Sequence, residues 1–400
     1  MKKIHGKDIK LPIQYGRHAL DESDERAVLE VLRSDFLTQG PVIGRFESAL
    51  SEACQSAFAV AFNSATSALH VACRALEIGE GDVVWTSAIT FVSSSNCALY
   101  CGASIDFVDV DPLTNNISVD ALKLKLEQAE KCGVLPKLII VVHLAGLPCD
   151  MIAIRKLSFE YGFMIIEDAS HAVGASYNSQ PVGNCRHSEI TVLSFHPVKI
   201  ITSAEGGVAL TNDPKIFEVM TRMRSHGIVS PDKFVYAPPD NEVWNYQQID
   251  LGYNYRMTDI QAALGLSQLA RLDTFVEKRK TIARVYNDAL SGLPIQLPID
   301  EVDRHSSWHL YIIKILDKVL VDKKPEIFNF FHQKGILVNL HYIPVYRQPY
   351  YQGLGFRVGY CPEAENYFKR ALSIPIHPNL TELEQAYTIS VIEELLSTGI

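Results

Sequence analysis

Phe163-Met164-Ile165-Ile166-Glu167-Asp168 is an apolar run that ends in two carboxylates, the pattern of a strand buried on both faces with its tip in a polar site. It belongs to a series. β-Branched runs over 57–61, 83–86, 104–108, 137–143 and 190–194 alternate with helical stretches over 66–77, 90–101, 118–131 and 149–161, and Gly79, Gly102 and Gly162 mark stops. This alternation predicts an α/β fold built on a doubly wound, mostly parallel sheet with helices on both faces. Ligands of such sheets bind outside the carboxyl ends of the strands, so Thr66, Asp168 and Ser194, which follow strand ends, are expected to share one pocket.

Beyond Gly252 the pattern changes to two long helices, 257–272 and 273–290, with Leu264, Leu266, Leu269 and Leu272 among the apolar positions of the first. After Ser291-Gly292-Leu293-Pro294 comes a smaller α+β region: strand 309–315, helix 325–333, strand 335–341, helix 363–371, strand 372–375 and helix 381–397. The expected division is a large domain over 1–265 and connecting helices with a small domain over 266–400.

Composition excludes several classes. The 400 residues carry 37 Lys+Arg against 46 Asp+Glu, a net charge of −9 with no long basic run, so no footprint for nucleic acid exists. The eight cysteines are irregularly spaced, with no CxxC pair, and read as reduced thiols of a cytoplasmic protein. Asp8, Lys10 and Pro12 interrupt any signal-peptide core after Lys2 and Lys3. Val83 to Ile105 lacks charge, yet its threonines and serines, Asn96 and Gly102 make it too polar to span a membrane. Gly353-Leu354-Gly355-Phe356-Arg357-Val358-Gly359 sets its third glycine one place too late for a dinucleotide fingerprint.

The chemistry-bearing stretch is Ser194-Phe195-His196-Pro197-Val198-Lys199, followed by Thr202-Ser203-Ala204-Glu205-Gly206-Gly207. A lysine among small residues just after a strand can form an imine, and burial lowers its pKa toward useful nucleophilicity. Paired with a carboxylate at Asp168, it suggests a pyridoxal phosphate site, where the aspartate keeps the pyridine nitrogen protonated. Asn63-Ser64-Ala65-Thr66-Ser67-Ala68-Leu69 runs from strand into helix through small hydroxyl residues and offers N–H donors for a phosphate. Each residue also has an ordinary reading: Lys199 as a surface lysine, Asp168 and Ser64 or Thr66 as caps, Phe91 as core, His171 and His196 as structural histidines.

Taken together, these motifs resemble the DegT/DnrJ/EryC1/StrS sugar aminotransferases. The resemblance covers nearly the whole chain and includes Glu167-Asp168-Ala169-Ser170-His171-Ala172, Arg224-Ser225-His226-Gly227, Gly252-Tyr253-Asn254-Tyr255-Arg256-Met257 and Gln261 to Leu269. It implies a fold-type I pyridoxal phosphate enzyme, with Lys199 as the cofactor-binding lysine and Asp168 as the pyridinium partner. Ala65, Thr66 and Ser194 would hold phosphate, Phe91 and His171 would flank the ring, and Asn254 would reach the phosphate of a neighbouring subunit in a homodimer. Substrate contacts would come from Tyr15, from Asp35, Phe36, Leu37 and Thr38, and from Asn339, Leu340, His341 and Tyr342. Ala65 stands where many relatives carry glycine, and His171 where many carry glutamine. Leu37 to Gly40, Phe195 to Lys199 and Leu340 to Tyr351 resemble members that take L-glutamate and a UDP-linked 4-keto-6-deoxy sugar. A sibling acting on another ketosugar, such as a UDP-4-keto-pentose, and a non-catalytic regulatory protein are the alternatives; Lys199 argues against a dehydratase, in which histidine replaces the lysine.

Overall fold

The computed structural model describes residues 2–4, 7–237, 242, 244–299 and 301–399. A seven-stranded sheet organises the larger part: β1 (Phe58–Phe62), β2 (Val83–Ser87), β3 (Ser104–Val108), β4 (Leu138–Val142), β5 (Met164–Asp168), β6 (Ile190–Ser194) and β7 (Gly207–Thr211). The spatial order is β1-β7-β6-β5-β4-β2-β3, and β7 runs antiparallel to both neighbours while the other pairings are parallel. Helices α1 (Glu22–Leu32), α2 (Pro41–Cys54), α3 (Ala65–Ala75), α4 (Ser93–Tyr100), α5 (Val119–Cys132), α6 (Met151–Tyr161), α7 (Pro214–Met223) and α8 (Asp259–Leu269) accompany it. Continuous burial along β4, β6 and β7 explains why those strands read as unbroken apolar runs rather than alternations.

Two features bring backbone ends to one place. Ser194 at the end of β6 pairs with Gly207 at the start of β7, which in turn pairs with Phe62 at the end of β1. The turn entering α3 therefore lies beside the loop that links β6 to β7. Gly207 makes this approach feasible, because a Cβ there would stand 2.4 Å from the Ala65 nitrogen. Ser64 then caps α3 by accepting from the Ser67 N–H at 3.1 Å, a contact worth about 1 kcal/mol.

A long helix, α9 (Leu272–Leu290), leads to a second core around the antiparallel sheet of Ile295–Gln296, Tyr311–Ile315 and Ala371–Ile374, in which Tyr286, Phe331, Leu372 and Val391 are buried. Ile9 and Ile13 belong to the same core, and Ile13–Gln14 pairs in parallel with Ile336–Leu337. Arg279 of α9, fully buried, donates to the carbonyls of Trp308, His309 and Ile376 at 3.0–3.1 Å. The strand expected over 335–341 reduces to Ile336–Leu337; beyond it, Asn339 instead exchanges backbone bonds with Ser373 in an isolated bridge. α1, α2, α7 and β7 were not anticipated from the sequence. Among the described residues no helix is long and apolar enough to cross a membrane.

Candidate active site

A cavity of about 350 Å3 opens at the carboxyl ends of the strands. Its wall gathers Ala65, Thr66, Phe91, Asp168, His171, Ser194 and Lys199 from around the large sheet, with Tyr15 and Asn339, Leu340, His341 and Tyr342 from the segments that follow the paired Ile13–Gln14 and Ile336–Leu337. Two groups of expected site residues lie elsewhere. Asp35, Phe36, Leu37 and Thr38 form an exposed segment after α1, tied to α8 through the Asp259 N–H bond to the Leu37 carbonyl (3.0 Å). Asn254 is exposed and bridges to Ser225.

Lys199 hangs from the loop between β6 and β7. That loop is fixed at its base, where Phe195 N–H donates to Gly206 (2.9 Å) and Ser203 N–H to Phe195 (3.0 Å), while Lys199 N–H turns back on His196 (2.9 Å). No hydrogen bond or ion pair occupies Nζ among the described residues. Burial pulls the ammonium pKa down from its usual value to about 8, against an opposing pull from the Asp168 charge. A free amine aimed into a cavity is a nucleophile and a base.

Asp168 is 3% exposed at the tip of β5. Ser94 of α4 donates to its Oδ2 at 2.6 Å, and the Ser170 hydroxyl and N–H donate to Oδ1 at 2.5 and 3.1 Å. Thr90 supports Ser94 with a 2.7 Å contact. Such donors hold the carboxylate in one orientation.

The His171 ring sits between two partners: Nδ1 accepts from the Ala145 N–H at 3.3 Å, and Nε2 lies 3.0 Å from the Tyr342 hydroxyl. Acceptance at Nδ1 puts the proton on Nε2, which donates to Tyr342. Burial, then Lys199 and His341, hold the His171 pKa well below its usual value, so the ring is neutral. Gly146 (φ +100) lets its loop pass within reach of the His171 carbonyl and the His309 nitrogen, where a Cβ would be 3.0 and 3.1 Å away. Burial also lowers His341 to about 3; its Nδ1 meets Ser373 Oγ at 2.8 Å, and its ring lies 4.9 Å from that of Tyr15. Phe91, 54% exposed, reaches over the cavity with its ring 5.9 Å from Tyr342.

At the start of α3 the Ala65 and Thr66 N–H groups find no acceptor among the described residues, and the hydroxyls of Thr66 and Ser194 are likewise unpaired. Free N–H groups at a helix N-terminus with two hydroxyls form a donor set for a phosphate. An amine, a carboxylate at the far wall and this cradle together fit pyridoxal phosphate. Sequence reasoning missed Thr90, Ser94, His309 and Glu205, all near or in the wall. Ser94 had a signal, since Ser93-Ser94-Ser95 is an unusual start for a buried helix.

The profile of the DegT/DnrJ/EryC1/StrS aminotransferase family matches residues 18–393. The chain is 36% identical to a UDP-4-amino-4,6-dideoxy-N-acetyl-β-L-altrosamine transaminase of Campylobacter jejuni, over 92% of this chain and 93% of the relative. Its fold matches Helicobacter pylori PseC, an aminotransferase involved in the biosynthesis of pseudoaminic acid, with a TM-score of 0.88 at 32% identity over 97% and 100% of the two chains. Spr1654 of Streptococcus pneumoniae in its PLP form gives 0.86 at 28% identity, over 96% and 99%. The chain therefore belongs to the DegT/DnrJ/EryC1/StrS aminotransferase family and is a pyridoxal phosphate-dependent sugar aminotransferase of fold type I.

Proposed function

We propose that the enzyme moves the amino group of L-glutamate to C4 of a UDP-linked 4-keto-6-deoxy-N-acetylhexosamine, giving UDP-4-amino-4,6-dideoxy-N-acetyl-β-L-altrosamine. The observation that carries the substrate is the 36% identity, nearly end to end, with the Campylobacter jejuni transaminase of that name. In this reading Lys199, Asp168, Ala65, Thr66, Ser194, Phe91 and His171 hold the cofactor. Bound pyridoxal phosphate supplies an electron sink that acidifies the carbon bearing the amino group and stores nitrogen between the two halves of the reaction.

The protein's own part is proton traffic and positioning. Lys199 Nζ takes the proton from the α-carbon of glutamate, and in the second half it delivers a proton to the sugar carbon that receives the amino group. Asp168, fixed by Ser94 and Ser170, keeps a positive charge stable at the far end of the cavity. Neutral His171 would help to hold the cofactor ring without competing for protons. Tyr15 and Asn339 to Tyr342 bound the side of the cavity open to the sugar. We further read the enzyme as a homodimer, in which Asn254 and Asp35 to Thr38, exposed in one chain, complete the site of the partner.

The test is a panel of UDP-linked ketosugars incubated with purified enzyme and L-glutamate, with products identified by mass spectrometry and NMR. The 4-keto-6-deoxy-N-acetylhexosamine should be turned over fastest, with 2-oxoglutarate formed in equal amount. Faster amination of a UDP-4-keto-pentose would overturn the substrate assignment.

A further inference from the structure

His309 lines the cavity with its ring 4% exposed, and neither ring nitrogen has a hydrogen-bond partner among the described residues. Nδ1 is sealed from solvent, which leaves Nε2 as the nitrogen open to the cavity. A buried imidazole ordinarily fills both positions, as His171 does with Ala145 and Tyr342. Burial first, then His171, hold the His309 pKa well below its usual value, so the ring is neutral and carries one N–H.

The chain around this ring is fixed from three sides. Arg279 of α9 donates to the Trp308 and His309 carbonyls at 3.1 Å each. The Ser307 hydroxyl donates to the His171 carbonyl at 2.9 Å, and the Ser307 and Leu310 N–H groups donate to Gly146 and Ala145 at 3.2 and 3.3 Å. Trp308 is held at φ +54, a left-handed conformation that a bulky residue rarely adopts and that persists only where surrounding contacts over-determine it. The His309 ring stands 4.3 Å, centroid to centroid, from that of His171. A ring so firmly placed, with both nitrogens unpaired, is equipped to bind what enters the cavity.

Charge decides what that is. Any amino acid that supplies the amino group brings an α-carboxylate, bonded to the carbon from which Lys199 takes the proton. Among the described residues Lys199 is the one lysine or arginine in the wall, and it is committed to the cofactor. On this chain's side of the cavity the carboxylate is therefore met by uncharged donors. Tyr342 takes the His171 Nε2–H, and the Asn339 amide group meets His341 at 3.5 Å. His309 is then the buried side-chain N–H of the wall that remains free among the described residues.

We propose that His309 binds the α-carboxylate of the amino donor through Nε2–H. The role rests on the two-step transamination proposed above and holds for any amino-acid donor, since all share that carboxylate.

The test separates the half-reactions of the holoenzyme by single-turnover absorbance, mixing the pyridoxal form with L-glutamate and the pyridoxamine form with the ketosugar. In His309→Leu the apparent Kd for L-glutamate should rise about 10- to 100-fold, the effect of losing a hydrogen bond to a charged group, while that for the ketosugar changes by less than about threefold. His309→Gln, which keeps an N–H donor, should recover most of the loss. 4-Aminobutyrate, which is glutamate without its α-carboxylate, should bind wild type and His309→Leu equally, an outcome that general damage to the site would not give. Unchanged affinity for L-glutamate, an equal loss in both half-reactions, or the same loss with 4-aminobutyrate would overturn the proposal. Wild-type enzyme that ignores L-glutamate would overturn the donor proposed above instead, and the His309 comparison then runs with the amino acid it does accept. Should His309→Leu fold poorly, His309→Phe serves in its place.

Discussion

Lys199 is one amine among the protein's lysines, and its surroundings alone set it apart. With its pKa drawn to about 8, cofactor-free Lys199 at pH 8 presents roughly 10²-fold more neutral amine than an ordinary lysine. Association of pyridoxal phosphate with the cofactor-free protein, followed by visible absorption, should accelerate as pH rises to about 8 and then level off, because the neutral amine is the attacking form. A rate still climbing steeply at pH 10 would contradict this. Lys199→Ala should lose amination by about 10³-fold or more, since both proton transfers lose their carrier. Ser94→Ala should leave one oxygen of the buried Asp168 carboxylate unpaired, at about 1–3 kcal/mol, seen as weaker cofactor retention on dialysis. The places of Lys199 and Asp168 in the cavity were legible in the sequence because Asp168 ends a strand and Lys199 lies in the small-residue loop that follows one. Ser94 was not, since its bond to Asp168 spans separate parts of the chain and no local pattern encodes it.

Among the elements, β4 to β6 were legible nearly residue by residue, because strands buried on both faces are long apolar runs. β7 was hidden by its own first residue: Gly206-Gly207 reads as a turn, yet Gly207 is already paired with Ser194 and Phe62. Its glycine serves contact between layers rather than a turn. Gly207→Ala would drive a methyl into the backbone of Ser64 and Ala65, which cannot rotate away. We expect a loss of about 1–3 kcal/mol in urea unfolding together with weaker phosphate binding, since the displaced atoms carry the free N–H groups. Unchanged affinity for inorganic phosphate and pyridoxal phosphate would refute that link. The segment after Ile336–Leu337 misled because its backbone groups bond singly, Asn339 with Ser373 and the His341 carbonyl with the Tyr367 hydroxyl, rather than in a continued ladder.

In the whole molecule, the residues that one chain leaves outside its cavity are as informative as those inside. Asn254 and Asp35 to Thr38 were chosen by resemblance, and one chain leaves them outside its cavity; the proposed homodimer would bring them to the partner's site. Mixing Lys199→Ala chains with Asn254→Ala chains should restore about one quarter of wild-type activity, because hybrids hold one intact site in a shared dimer. No recovery would place all functional residues of a site in one chain. Removal of residues 1–14 should cost about 3–6 kcal/mol, the burial of Ile9 and Ile13, read as a lower melting temperature. That pairing of Ile13–Gln14 with Ile336–Leu337 has a mechanical side. The chain ties the two cores together repeatedly, between Tyr15 and α1, along α9, and again where Val345, Tyr346, Tyr351 and Tyr367 pack in the first core before Leu372 returns to the second, and a body tied at several points resists rotation about any one line. Tyr15 sits beside one of these ties and His309 is bound to Arg279 on another, so both stand in the cavity wall like bricks mortared to two floors at once.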